Sequence, residues 1–293
     1  MLSYIFRVNK SIFFRFKIQK FCNFLVIKLV LFTIFINPNI SYSQCEIINT
    51  TFEAGEKLNF KVSYNWAFIW MDAAIINFSV DSMISNGTKV LHLSTNATSY
   101  PKYDYFFKVR DNFDSYVEYN TLKPILHIQN TSEGRMDKKN TYKFDYKSKK
   151  IYAQTASTEK PKIKIDTFAI KKCTYDLLTA TYIARCIDFS KMKSGDLFPV
   201  TVCLDDGLYD LYIRYNGKKQ IETPDGKKYN CLEMKALIVE GTIFNGGEDV
   251  TCWVSDDENK IPVLIEANVL VGTVKAYLIN YKNLKYKFNA NVK

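Results

Sequence analysis

The sequence predicts a mainly β protein: one long, curved antiparallel sheet in an open, barrel-like meander, with a single amphipathic helix. Three observations carry this reading. Apolar and polar residues alternate through most of the chain. Turn chemistry such as Asn-Gly and Pro-Asp-Gly recurs between the alternating runs. One segment alone changes its period from two to three and four.

The first strand begins at Leu58. Leu58, Phe60, Val62, Tyr64, Trp66, Phe68 and Trp70 are apolar, with Asn59, Lys61, Ser63 and Asn65 between the first of them. From 66 to 76 the pattern turns apolar on both faces, which predicts a strand that becomes more buried as it proceeds. Trp66, Phe68 and Trp70 are then expected either to fill the core or to line a pocket. Further strands are predicted at about 74–81, 88–95, 115–119, 124–131, 140–146 and 150–154. Asn86-Gly87, Glu133-Gly134 and the polar run at 146–150 separate them. Aromatic residues make up 15% of the chain, and such residues favour strands.

The exception is Thr174 to Phe189. Tyr175, Leu178, Tyr182, Cys186 and Phe189 recur at three and four, one face of a helix over about 174–188. Thr174 suits an N-cap, Asp176 falls in the first turn, and Gly195 lies beyond the end. Three to four turns are expected, covering the concave face of the sheet.

Strands then resume. Asp205-Asp206-Gly207 joins two of them. Asn216-Gly217 predicts a hairpin, and Thr223 to Lys228 a further turn. More strands are expected around Asn245-Gly246-Gly247, and Pro262 opens the next.

The acids Asp205-Asp206 and Asp256-Asp257-Glu258 are the candidates for a carboxylate site. Each group lies between strands, where Asp bonds to its own turn backbone. The stretch from Asp256 lacks the two-residue ligand spacing and the glycine of a calcium loop. The sequence therefore assigns no metal and no cofactor. His92 and His127, the two histidines, sit inside strand-like runs and read as structural residues. A Ser/His/Asp group assembled in space stays open. No nucleophile elbow, zincin motif or phosphate loop is present in the sequence. No catalytic residue is assigned, ligand-binding residues are unknown, and a non-catalytic protein is expected.

The ends bear on location. Arg7, Lys10, Arg15, Lys17 and Lys20 precede an apolar run from Phe21 to Ile36, interrupted by Asn23 and Lys28. Ser41 and Ser43 stand at −3 and −1 before Gln44. That is the layout of a cleaved signal peptide over 1–43, and the run is shorter than a membrane span requires. The expected mature chain, 44–293, is a single domain in the periplasm or associated with the outer envelope, with no retained span. Of 40 basic and 30 acidic residues, six bases and no acid fall in the leader. The mature net charge is then +4, too mild for a nucleic-acid partner. Lysine runs at 147–150 and 160–164 read as solvated turns and an exposed strand edge. The mature cysteines Cys45, Cys173, Cys186, Cys203, Cys231 and Cys252 fit an oxidising compartment, and their spacing assigns no pairing.

Three stretches resemble a known family: FEAGEKLNFKVSYNWAFIWMDAA, YDLLTATYIAR and VEGTIFNGGEDVTCWVSDDENKIPVLIEANVLVGTVKAYL. They are similar to DUF3108, a family of exported bacterial proteins of unknown function, over roughly 52–284. The most specific part is the order G-E-x-x-x-x-W-V-S-D-D-x-N-K-I-P and then V-G. The resemblance implies no catalytic residue, because the family has no assigned activity. The architecture is also similar to periplasmic lipoprotein carriers and related open barrels, at the level of fold alone. Two roles follow as expectations. One is a carrier of an apolar ligand held between sheet and helix. The other is an envelope assembly or scaffold protein that meets a protein partner through a surface or sheet edge.

Overall fold

A computed structural model describes residues 47–66, 69–85, 87–205, 207–238, 247–269 and 272–292. The leader 1–43, its cleavage point before Gln44, Cys45, Phe68, Asn86, Asp206 and Asn245-Gly246 lie outside the described residues, as does the side chain of Trp66. Residues 44–293 form one compact unit.

Two meanders share one sheet. The first runs β1 Lys57–Trp66, β2 Ile69–Ser85, β3 Thr88–Ser99, β4 Arg110–Glu118, β5 Pro124–Glu133, β6 Met136–Asp145, β7 Lys150–Ser157 and β8 Lys164–Ala169. The short β9 Thr174–Asp176 and the helix α1 Leu177–Arg185 make the crossing. The second runs β10 Leu197–Leu204, β11 Gly207–Glu222, β12 Lys228–Ile238, β13 Gly247–Ser255, β14 Pro262–Asn268 and β15 Thr273–Lys282. β1 pairs with β2 on one side and β15 on the other, so the meanders join mid-sheet. The edges are β8 and β9. The β9–β10 pair is parallel and the others are antiparallel. The result is a single long curved sheet that does not close.

The alternation in the sequence fixes the faces. On β1, Leu58, Phe60 and Val62 are buried while Asn59 and Lys61 are only partly covered. On β10, Phe198, Val200 and Val202 point into the main core with Leu91 and Leu93 of β3 and Val117 of β4. α1 packs its Leu178, Tyr182 and Ile183 into that core. Each such side chain contributes about 1.5–3 kcal/mol on burial. Phe52 leans on the Tyr182 ring at 4.8 Å between centroids, and Phe78 meets it edge-on at 6.5 Å.

Four expectations need correction. The helix is shorter than 174–188. Thr174 and Tyr175 extend as β9, and Asp176 is the N-cap, accepting from the Thr179 N–H at 2.8 Å and the Thr179 hydroxyl at 2.7 Å. A buried aspartate that satisfies two donors outcompetes a threonine two residues earlier. The run from Leu58 to Trp70 is not one strand, because β1 ends at Trp66 and β2 begins at Ile69. Ile69 is 65% exposed and Trp70 47%, so the double-sided apolar stretch turns outward rather than inward. Asn216-Gly217 does not turn the chain. β11 runs through it with a register shift between Tyr215 and Gly217, and Gly217 takes φ +99°. The glycine serves a bulge, the other use of its conformational freedom.

Candidate functional site

The acidic stretch after β13 folds as a turn with a defined task. Asp257 Oδ1 accepts from the Ser255 hydroxyl at 2.7 Å and from the N–H groups of Asn259 and Lys260 at 3.1 and 3.2 Å. Its Oδ2 accepts from the N–H of Asn289 at 3.0 Å. Asn259, wholly buried, donates to the Tyr286 carbonyl at 3.1 Å and accepts from the Tyr286 N–H at 2.9 Å. The turn therefore clamps the C-terminal segment against the sheet. Asn230 and Val292 extend that seam through backbone bonds to Ala290 and Lys228. Asp256 pairs with Lys218 at 2.7 Å, and Glu258 is exposed. A cleft of about 220 Å³ opens beside the turn, between Asp256, Lys260, Phe189 and Tyr215. Asp257, which also borders it, has both oxygens engaged in the clamp. Asp205, the other acid candidate, is paired with Lys138, and its carbonyl accepts from the Tyr142 hydroxyl at 3.1 Å. Both bonds tie the β10–β11 turn to β6.

The same turn reaches α1. Arg185 makes a two-pronged pair with Glu56, at 2.6 and 2.8 Å, and donates to the Asn259 carbonyl at 3.0 Å. Both charged side chains are almost fully buried. Burial works against the guanidinium charge, but the Glu56 carboxylate outweighs it and holds the arginine above its ordinary range. Helix, N-terminal segment and acidic turn thus meet at one buried ion pair. Beside it, Leu58, Phe60, Phe78, Tyr182, Pro262 and Ile265 border the gap between α1 and the sheet. That gap measures about 20 Å³. Ligand sites run from about 300 to 1,000 Å³, and one water needs roughly 10–15 Å³. Among the described residues, this gap is therefore too small to hold such a ligand.

A Ser/His/Asp group is indeed assembled in space, but not as a nucleophile and its base. Ser115 on β4, His127 on β5 and Asp176 on β9 are all wholly buried. The Ser115 hydroxyl donates to Asp176 Oδ1 at 2.7 Å and lies 2.8 Å from His127 Nδ1. His127 Nδ1 is also 3.2 Å from Asp176 Oδ1. Serine and aspartate thus crowd the same ring nitrogen, and the serine proton faces the carboxylate rather than the imidazole. In a catalytic triad they take opposite nitrogens. His127 Nε2 is buried without a hydrogen-bond partner, and the ring stacks on Tyr142 at 5.6 Å. Burial raises the Asp176 carboxyl, while His127 and the Thr179 donors outweigh it and hold the group below the usual range. The trio ties β9 to the first meander. In the sequence Ser115, His127 and Asp176 stand in three separate segments, which nothing linked. The other histidine, His92, is paired with Asp114 at 2.8 Å and stacked on Tyr116.

The cysteines divide. Cys173 is disulfide-bonded, while Cys186, Cys203, Cys231 and Cys252 are free. Burial pushes the thiols of Cys203, Cys231 and Cys252 up to about 12, which leaves them poor nucleophiles. Cys186 ends α1, packed against the main core with its sulfur 3.1 Å from the Thr51 hydroxyl.

The conspicuous apolar surface is elsewhere. In the β3–β4 loop Tyr105 is 92% exposed, Phe106 81% and Phe107 55%. No signal of period or turn chemistry marked this loop, because exposed aromatics inside a polar turn break no pattern. Beside it a cleft of about 420 Å³ opens between Arg110, Ser132, Lys138, Lys139 and Thr158. Among the described residues no helix is long and apolar enough to cross a membrane.

Comparison with known proteins places this geometry in context. The sequence profile described as protein of unknown function DUF3108 matches residues 59–279. No curated protein matches the chain. Among solved structures, it is similar to the beta-barrel-like protein of domain of unknown function DUF1849 from Brucella abortus. That likeness has a TM-score of 0.51 at 6% identity and covers 79% of this chain and 98% of the other. At that identity it bears on the fold alone, and it agrees with a long curved sheet of barrel-like form.

Proposed function

Because the chain belongs to the DUF3108 family, whose activity is unknown, we propose that it is an exported, non-catalytic protein of the cell envelope that acts through its surface. The observation that carries the surface reading is the gap of about 20 Å³ between α1 and the sheet. An apolar carrier needs room for its cargo, and this core is occupied by Phe60, Phe78 and Tyr182. Large aromatic side chains face solvent instead. The non-catalytic reading draws on Ser115, which presents its proton to Asp176, and on thiols that burial holds protonated.

Export draws support from the basic, acid-free leader ahead of a short apolar run. It also draws support from the disulfide at Cys173, a bond that persists in oxidising compartments. N-terminal sequencing of the protein from an envelope fraction tests it. A chain beginning at Gln44 is expected, and an intact Met1 on membrane-embedded protein would contradict it.

A further inference from the structure

We propose that the loop end of the first meander docks on an anionic lipid bilayer, with Tyr105, Phe106 and Phe107 as the inserting tip. This deepens the surface reading above by naming the partner.

The tip is built to stay outside. Ser99, Asp104 and Arg110 close the base of its loop. The Ser99 hydroxyl donates to Asp104 Oδ1 at 2.6 Å, and Arg110 donates to Asp104 Oδ2 at 2.5 Å and to the Ser99 hydroxyl at 2.9 Å. Phe107 lies over Gly134, where an added Cβ would stand 3.2 Å from the ring. The Gly134 N–H donates to the Lys108 carbonyl at 2.8 Å. Tyr105 and Phe106 meet edge to face at 5.5 Å and project past this support. A loop so held cannot fold its aromatics back into the core.

Strand register puts the neighbouring turns at the same end. Thr98 faces Arg110, Glu133 faces Met136, and Lys138 faces Ser157. Ile69 and Trp70 open β2 there as well, and the Tyr100 N–H donates to the Ala73 carbonyl at 2.9 Å. Lys275 stands 5.1 Å over the Trp70 ring.

The charge is complementary to an anionic surface. Residues 100–110, 133–139 and 157–164 hold nine bases and four acids, a net of +5. The chain from Gln44 carries 34 bases and 30 acids in all, a net of +4. Lys102, Lys108 and Arg135 are exposed around the tip. Aromatic side chains with a ring of Lys and Arg are the chemistry of the membrane interface, where rings enter the headgroup layer and cations meet phosphates. A protein partner of this area would bury a broad face. Here the apolar groups protrude from a loop tip, which suits a fluid layer.

The test is co-sedimentation of the compact unit beginning at Gln44 with two kinds of vesicle: phosphatidylcholine alone, and phosphatidylcholine with phosphatidylglycerol. Binding is expected to the phosphatidylglycerol vesicles, weakened by salt. Tyr105→Ser/Phe106→Ser should lower the partition by about tenfold or more. Lys108→Glu/Arg135→Glu should abolish the preference for phosphatidylglycerol. Both variants change exposed groups and should unfold at the wild-type temperature, so lost binding reports the surface. No sedimentation of the wild type, or equal partition of the Tyr105/Phe106 variant, would overturn the proposal. Tip-dependent capture of an envelope protein without vesicle binding would overturn it in favour of a protein partner. A chain found uncleaved in the cytoplasm would sink the export reading and leave the vesicle result standing.

Discussion

At the scale of single residues, neighbours in sequence have unequal roles. Asp256 and Asp257 read alike in the sequence, yet Asp257 accepts four bonds and Asp256 makes one surface pair. Asp257→Ala is expected to cost about 2 kcal/mol, because buried donors lose their acceptor. Asp256→Ala should cost under about 0.5 kcal/mol, as exposed pairs do. Urea unfolding of the two variants checks this, and equal losses would mean that Asp257 is no clamp. Asp111 gives a pH signature. Burial, then the Glu133 charge, raises its carboxyl to about 7, against roughly 3.9 in an unfolded chain. Between those values the folded chain holds the extra proton, so this group makes stability fall as pH rises from about 4 to about 7. Asp111→Asn should flatten that slope and gain about 1 kcal/mol at pH 8, after allowance for solvent screening of a half-buried group. Unfolding midpoints at pH 5 and pH 8 that shift together in variant and wild type would contradict this.

At the scale of elements, the sequence was read well where period decided the answer and poorly where tertiary partners did. The alternation in β1 and in β10 was legible because one face of each is buried. The start of α1 was not, since Asp176 caps it only with β4 and β5 beside it. Asn216-Gly217 reads as a hairpin in isolation, and the pairing of β11 with β12 on both sides of it makes it a bulge. The V-G of the family pattern has its reason in Gly272, where an added Cβ would lie 2.1 Å from the Asn65 carbonyl oxygen. The acidic turn was legible as a turn, but its grip on residues 286–289 and on Arg185 was not, because those partners are distant in sequence. The lock between α1 and the turn predicts a non-additive pair. Arg185→Leu should cost about 3–5 kcal/mol by stranding the Glu56 charge in the core. Glu56→Leu/Arg185→Leu should cost less than the sum of the two single changes. Additive losses in denaturant titrations would show that the two charges do not depend on one another.

At the scale of the whole molecule, the fold class, the single helix and the family are legible in the sequence. The lysine run at 160–164 leads into β8, which begins at Lys164 and is an edge of the sheet. The choice between carrier and surface is not legible there, because strand periodicity states which residues face inward but not whether they meet. The structure brings Phe60, Phe78 and Tyr182 together under α1 and leaves room for little more than one water. An acyl chain buried there would gain about 0.8 kcal/mol per methylene and would survive purification. Native mass spectrometry of the gently purified protein, followed by organic extraction, is therefore the most direct measurement. A mass equal to the polypeptide alone, with no lipid in the extract, is the predicted result. One equivalent of lipid that stays bound in high salt would contradict a filled core and restore the carrier reading.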